Sequence, residues 1–562
     1  MKPVVECVPN FSEGRDTAII DRITQRMNTV PGAAVLHVDP GKATNRTVVT
    51  LAGDPDAVLE AAFRGIAAAA ELIDMSRHHG EHPRMGATDV CPFVPISGIT
   101  MDEAAALARR LAERVGKELG IPVYLYEAAQ PDQARRRLPD IREGEYEGLE
   151  RKLADPKWKP DFGPARFIPR SGATVIGARD FLVAYNVNLN TTSTRRANAV
   201  AFDVREAGRP QREGGSLTGK VLTDAKGEPL TLPGTLKAVK GIGWFIDEYG
   251  VAQVSMNLTD LSTTPIHVAF DEVDRAARER GMRVTGSEIV GLVPLQAMRE
   301  AGRHYLRRQQ RSLGVSDREL IHIAVRSLGL DEFTPFVPEE RIIEYKLRDP
   351  ADRRLVTMPL EDFVIETASE SPAPGGGSVS AAVGAMAASL ATMVANLSSH
   401  KRGWDERWDE FSNWAERGQL IQAELLRLVD ADTRAFDAVL AAMHLPKETQ
   451  AEKDARRSTL DSAIVSAARI PFAVMQQSMK VFDIAQAMAE TGLPASVSDA
   501  GVAACCARTA VRGAWLNVKI NAGMLRNRAL VQSVLDEGAR LVQEADRREG
   551  EILGLVEGKM KG

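Results

Sequence analysis

The densest group of reactive side chains in this sequence is DMSRHHGEHPRMGATD, residues Asp74–Asp89. It holds His78, His79 and His82, with Arg77, Arg84 and Glu81 among them. Gly80 and Pro83 break any helix there, so the stretch reads as a turn between elements. A histidine on such a turn can reach a substrate as general acid or base. The same side chains could ligate zinc, although HHxxH is not the helical HExxH spacing. A solvated polar loop is the third reading. Spacing alone leaves all three open.

Three further stretches carry candidate chemistry. HVDPGKATNR (His37–Arg46) places Asp39 at a strand end, where it either assists a catalytic imidazole or caps a turn. SPAPGGGSVSA (Ser371–Ala381) is a triple-glycine loop running into an apolar helix. Free N–H groups at such a helix start can seat an anion or polar ligand, or the glycines serve only close packing. The loop lacks GxxxxGK[ST], which argues against a nucleotide phosphate loop. LVDADTRAFDAVL (Leu428–Leu440) sets Asp430 and Asp432 in an otherwise apolar helix. A carboxyl buried there would have a raised pKa suited to proton transfer, whereas a solvent-facing Asp would be ordinary. Ser496–Gly501 starts another helix, which carries Asn517, Lys519 and Asn521.

These groups need elements to position them. Strand-like runs at Val4–Asn10, Ala34–Pro40, Arg46–Gly53 and Thr88–Ile96 alternate with helices at Asp16–Met27 and Asp56–Met75. A helix at Met101–Leu119 and a strand at Pro122–Tyr126 extend this βαββαβ unit. The order repeats with a strand at Phe181–Leu189, a helix at Arg195–Glu206, a hairpin at Leu236–Phe245 and Gly250–Asn257, a helix at Pro265–Arg280 and a strand at Met282–Val293. The expectation is multidomain: two tandem ferredoxin-like α/β subdomains with a cleft between them, joined by Asp161–Arg179, then an all-α helical bundle. Bundle helices are expected near Val379–Ser398, Asp409–Met443, Ala451–Thr491, Val497–Ala522 and Leu530–Val556. The boundaries follow as 1–179, 180–331, a connection at 332–355, and 356–562.

Composition narrows the class. The 562 residues are 44% hydrophobic and 26% charged, an ordinary globular balance. With 71 Lys and Arg against 76 Asp and Glu, the net charge of -5 argues against gripping nucleic acid through phosphates. Four cysteines are too sparse for a disulfide scaffold, and no secretory signal pattern opens the sequence, so a cytoplasmic address is expected. The uncharged stretch Ser371–Ser399 is long enough to span a membrane, but its small and polar residues point to a buried bundle helix.

Taken together, VECVPNFSEG, DMSRHHGEHPRMGATDVCPF, DFGPARFIPRSGATVIGAR, KGIGWF, SPAPGGGS and LVDADTRAF occur in one order from Val5 to Phe436. The chain thereby resembles the bifunctional formimidoyltransferase-cyclodeaminases, folate enzymes of histidine breakdown. The resemblance implies that His82 is the transferase acid/base, with Asp39 a candidate assistant. It also implies a folate-binding segment of Gly163, Pro164, Ala165, Arg166, Phe167, Ile168, Pro169, Arg170, Ser171 and Gly172. Asp432 matches the cyclodeaminase acid/base, with Gly375, Gly376, Gly377 and Ser378 as candidates to hold its substrate. Tetrahydrofolate is the implied co-substrate, N-formimidoyl-L-glutamate the donor, a homo-oligomer the implied assembly, and no metal is expected. Two departures from the family pattern are a longer loop at Pro210–Thr235 and Ser171 in the folate segment. The helical half also resembles methenyltetrahydrofolate cyclohydrolases.

Overall fold

Alternation of apolar residues along the first strands sends Val5, Cys7, Val49, Leu51, Cys91 and Phe93 to one face of a sheet. There they meet Ile23, Val58, Ile66 and Leu107 of three helices. The computed structural model describes residues 3–42, 44–80, 82–215, 219–348, 353–525 and 527–561. They form two units, Met1–Ala301 with Ala324–Leu347, and Gly302–Ile323 with Arg348–Gly562.

The first unit opens with β1 (Val4–Cys7), β2 (Asn10–Phe11), α1 (Thr17–Asn28), β3 (Ala33–Gly41), β4 (Arg46–Gly53), α2 (Pro55–Leu72) and β5 (Thr88–Ser97). With β1 and β2 counted as one interrupted strand, the chain order across the sheet is second, third, first, fourth, all antiparallel. The expected single strand Val4–Asn10 breaks at Val8–Pro9, where proline has no N–H to donate. Asn10 then pairs with Val90 and Phe11 with Thr88, so Asp89 is the extra residue of a bulge. Glu6 on β1, opposite Ala52 and Val94, is buried.

The sheet continues past β5. After α3 (Met101–Arg114), β6 (Val123–Glu127) and α4 (Leu138–Arg142), residues Thr174–Ala178 form β7, wholly buried and paired in parallel with both β5 and β6. The expectation of a connecting stretch over Asp161–Arg179 is corrected here. TVIGA is a five-residue strand, hidden in the sequence by the glycine- and proline-rich residues before it.

A second sheet is built from β8 (Val183–Leu189), β9 (Val239–Ile246), β10 (Val251–Leu258) and β11 (Val284–Val290), with α5 (Thr194–Val204) and α6 (Ile266–Glu279). Its order, β9-β10-β8-β11, is again second, third, first, fourth and antiparallel. The loop at Pro210–Thr235 holds a short ladder between Arg209–Pro210 and Thr231–Leu232. Ala52, Leu292 and Ile343 form a small core with Leu36, Ile96 and Phe181, which joins the two sheets.

The second unit is helical: α7 (Gly376–Ser399), α8 (Trp408–Met443), α9 (Gln450–Thr491), α10 (Val497–Gly523) and α11 (Gln532–Met560). Each lies within four residues of its expected bounds. Ala385, Ala388, Ala391 and Ala395 let α7 sit among α8, α9 and α10, and Gly384 lies against Ser478, Ala510 and Leu425. In length and composition α7 could cross a membrane, yet most of its apolar stretch is buried within the bundle, as befits a core helix. Within the same unit Gly314 packs on Ala415, Leu313 N–H donates to Ser412 Oγ (2.9 Å), and Leu306, Leu313 and Leu320 form a satellite core.

Candidate active sites

In the first unit, loops from separate strands meet around one imidazole. Ser12 N–H donates to Ala87 O (2.9 Å) and Ser12 Oγ to Gly86 O (2.7 Å), which ties the NFSEG turn to the residues after His82. Asn45 binds Gly14 N–H through Oδ1 (3.0 Å) and His79 O through Nδ2 (3.0 Å), and Gly80 packs against Thr44. His82 itself is half-buried. Its Nδ1 lies 2.7 Å from Pro83 O. Only an N–H can make that bond, so Nδ1 carries the proton and Nε2 is left with its lone pair. Arg46 Nη1 lies 2.5 Å from Nδ1 and 2.6 Å from Nε2, and its N–H meets that lone pair.

Arg46 is held from other sides. Its Nε and Nη2 donate to Asn10 Oδ1 at 3.1 and 2.6 Å, and Nη1 lies 3.6 Å from Asp89 Oδ2. Asp89 is fully buried, accepts Met85 N–H (3.1 Å), and is gripped through both oxygens by Arg142. Two cations thus surround one carboxylate beside the imidazole. Burial, Arg46 and Arg142 lower the His82 pKa against the pull of Pro83 O and Asp89, so the ring is neutral at neutral pH. Burial also brings Arg46 down to about 10.

The other sequence candidates separate clearly. His78 is buried, with Nε2 on Asn45 O (2.8 Å) and Nδ1 accepting Arg84 Nε (3.3 Å). With both ring nitrogens engaged it positions the loop and has no lone pair for a metal. Glu81 lies outside the described residues. Among the described residues, no group of three or more His, Cys, Asp or Glu could hold a metal ion. Asp39 lies inside β3 and is exposed, paired in register with Val48, while Arg46 occupies the position beside His82. The segment Gly163–Gly172 ends against the same loop. Ser171 O accepts Ala87 N–H (2.9 Å), and Gly172, with φ +63°, passes so close to Met85 that a side chain would collide. Tyr146 Oη donates to Pro169 O (2.6 Å), and its ring lies 5.4 Å from that of Phe167.

In the second unit the two aspartates part company. Asp430 is buried and accepts Leu355 N–H (2.8 Å) and Val356 N–H (3.2 Å), which anchors the chain before the bundle. Asp432, two residues on, faces the start of α7. Ser378 Oγ donates to Val429 O (2.8 Å) and lies 3.3 Å from both Asp432 Oδ2 and Thr433 Oγ1. A Cβ on Gly377 would stand 2.5 Å from Asp432 Cγ and Oδ2 and closer still to Oδ1, so only glycine admits the carboxylate here. Burial raises the Asp432 pKa, opposed by the Ser378 hydroxyl and N–H. Asn517 of α10 lies beside Gly376, Asn521 binds Ala467 O (2.8 Å), and Lys519 is exposed.

Sequence reasoning missed Arg46, Asn10, Asp89 and Arg142. Asn10, Arg46 and Asp89 sat in quoted motifs, and the visible signal was a polar residue at or next to a strand end. Nothing local showed that the ends converge.

The molecule therefore belongs to a class of two-part chains: an α/β unit built around a neutral histidine, and a helical unit built around a buried carboxylate at a glycine-rich helix start. Residues 4–179 match the family "Formiminotransferase domain, N-terminal subdomain", 184–348 "Formiminotransferase domain", and 359–540 "Formiminotransferase-cyclodeaminase". The chain is 42% identical over 560 residues to the formimidoyltransferase-cyclodeaminase of Sus scrofa, covering 100% of each. It is 43% identical over 305 residues to the glutamate formimidoyltransferase of Thermoplasma acidophilum (54% of this chain, 92% of that one). It is 36% identical over 201 residues to the methenyltetrahydrofolate cyclohydrolase of Methylorubrum extorquens (36% and 97%). The chain belongs to the formimidoyltransferase-cyclodeaminase family.

Proposed function

We propose that the first unit transfers the formimidoyl group of N-formimidoyl-L-glutamate to N5 of tetrahydrofolate. The second unit then closes 5-formimidoyltetrahydrofolate to 5,10-methenyltetrahydrofolate and releases ammonia. In the first step N5 attacks the amidine carbon and gives up its proton. The tetrahedral intermediate collapses by breaking the bond to the glutamate nitrogen, which leaves with a proton. His82 carries both transfers: its neutral ring, with Nδ1–H fixed on Pro83 O, offers Nε2 as the base and then returns the proton. Gly163–Gly172 holds the folate, supported by its junction with Ala87, five residues from His82. Asp39 is at most an assistant from the rim of β3.

In the second step N10 attacks the same carbon, loses its proton, and the amidine nitrogen departs as ammonia after protonation. Asp432 supplies that acid, and Gly375–Ser378 seats the substrate against it. The observation that carries the pair of readings is the placement of Asp432 directly on Gly377 and Ser378, separate from the His82 site. Neither step calls for a metal. Tetrahydrofolate, with N-formimidoyl-L-glutamate mixed in, is the substrate set for the test, following methenyl absorbance and ammonia together. Both signals rising in step support the scheme. Glutamate release without either overturns the second half, and no turnover overturns both.

Similarity to a methenyltetrahydrofolate cyclohydrolase favours a second reading for the helical unit, in which it opens or closes the methenyl bridge without ammonia. Ammonia released from supplied 5-formimidoyltetrahydrofolate decides against it. The strand order supports a ferredoxin-like sandwich for each α/β half. The boundaries 1–179, 180–331 and 356–562, with 332–355 between them, cytoplasmic location and homo-oligomeric assembly complete the reading.

A further inference from the structure

We propose that Arg46 is a positioning residue for the transfer, held by Asn10 and Asp89 so that one guanidinium N–H aims the His82 imidazole toward the folate-binding segment. The geometry argues for a role beyond holding the fold. An arginine used only to neutralise Asp89 would take it in a two-pronged pair, since that is the favoured match between guanidinium and carboxylate. Here Arg142 takes both Asp89 oxygens, and Arg46 stands 3.6 Å off with Nη1 turned to the imidazole. Its remaining donors are fixed on Asn10 Oδ1, so the guanidinium plane cannot swing freely.

Asn10 and Asp89 are there because of the chain's own irregularities. The break after β1 starts β2 at Asn10, and the bulge in β5 leaves Asp89 unpaired in the ladder and free to turn toward the two arginines. The charged groups facing His82 are Arg46 from β4, Arg142 from α4 and Asp89 from β5, together with the Pro83 carbonyl. The balance is one positive charge in excess, which disfavours imidazolium. Arg46 thus sets both where Nε2 points and the pH above which it is a base, and a substrate N–H takes over its bond on Nε2 when the site fills.

The inference rests on His82 being the acid/base group, and the experiment separates the two. Transfer kcat/KM is measured against pH on the full chain for wild type, Arg46→Gln, Asp89→Asn and His82→Ala, with cyclisation of supplied 5-formimidoyltetrahydrofolate as the check on folding. An active His82→Ala overturns the reading of His82 itself. Otherwise Arg46→Gln is expected to move the acid limb up by about one pH unit, and Asp89→Asn to move it down, because each removes a charge of opposite sign. NMR titration of the His82 ring reads the same shifts where turnover is too slow. An inactive His82→Ala with both limbs and ring titrations unmoved overturns the role of Arg46, whatever the loss of rate.

Discussion

Gly377→Ala tests the helical site without removing any reactive group. The new methyl would start 2.5 Å from Asp432 Cγ and Oδ2. Carbon–carbon contacts settle near about 3.5–4.0 Å and carbon–oxygen contacts a little closer, so the carboxylate must retreat by roughly 1 Å. That retreat breaks the Ser378 hydroxyl contact at 3.3 Å and the Ser378 N–H bond. Two hydrogen bonds at about 1–1.5 kcal/mol each, one partner being ionisable, give about 2–3 kcal/mol of lost positioning. This corresponds to a fall of roughly 10²-fold in cyclisation, the size expected for a 1 Å misplacement. Alanine in place of glycine in a helix recovers up to about 1 kcal/mol, so overall stability should change little. The assay is ammonia release from supplied 5-formimidoyltetrahydrofolate, with formimidoyl transfer in the same preparation as the internal standard. Cyclisation at the wild-type rate in a folded protein would refute the placement of Asp432 against this loop.

Three further outcomes are expected. His82→Ala abolishes transfer and spares cyclisation, read by running the two half-reactions separately; equal loss of both would contradict two separate sites. Asp432→Asn abolishes ammonia release while transfer survives, and a variant that still cyclises at the normal rate would remove Asp432 from the chemistry. Glu6 governs a pH dependence of stability. Burial raises its carboxyl to about 7 despite the pull of Arg179, with Glu344 adding to the rise. A carboxyl whose folded pKa exceeds its unfolded value contributes full stability below the unfolded pKa and loses it as pH rises through the folded one. From the ordinary carboxyl value of 4.5 to about 7, that loss amounts to about 3 kcal/mol by about pH 8. Thermal unfolding should therefore show Glu6→Gln more stable than wild type near about pH 8 and equal near about pH 4, and parallel curves would show that Glu6 is solvated.

How much of this was legible in the sequence depends on the range of the interaction involved. The bundle helices were readable almost to the residue because an Ala/Leu stripe at helical spacing is a local signal, and so was β4, whose bounds at Arg46 and Gly53 match as expected. β7 was not, since a five-residue apolar run earns its identity only from the parallel neighbours on either side. The site divides the same way. His82, the glycine loop and the Asp430/Asp432 pair announced themselves by composition. Which aspartate faces the loop did not, because residues two apart point to opposite sides of a helix and the deciding partners, Leu355 and Gly377, are far away in sequence. Asp39 stood out by type as a candidate assistant, whereas Arg46, seven residues later and now seen beside His82, drew no notice because the contact is made across the fold.

The chain passes between its two units three times, because residues Gly302–Ile323 belong with the helices while Ala324–Leu347 return to the sheets. The two units are therefore not two consecutive stretches of the sequence. Any gene divided near residue 331 or 355 leaves the helical product without Leu306, Leu313 and Leu320 and strips Ser412 and Ala415 of the backbone that covers them. In sequence the two units alternate, and what a cut removes from the helical unit is the short stretch that precedes it. Supplying the 302–323 stretch to an isolated helical half should therefore raise its thermal stability, by restoring the contacts on Ser412 and Ala415.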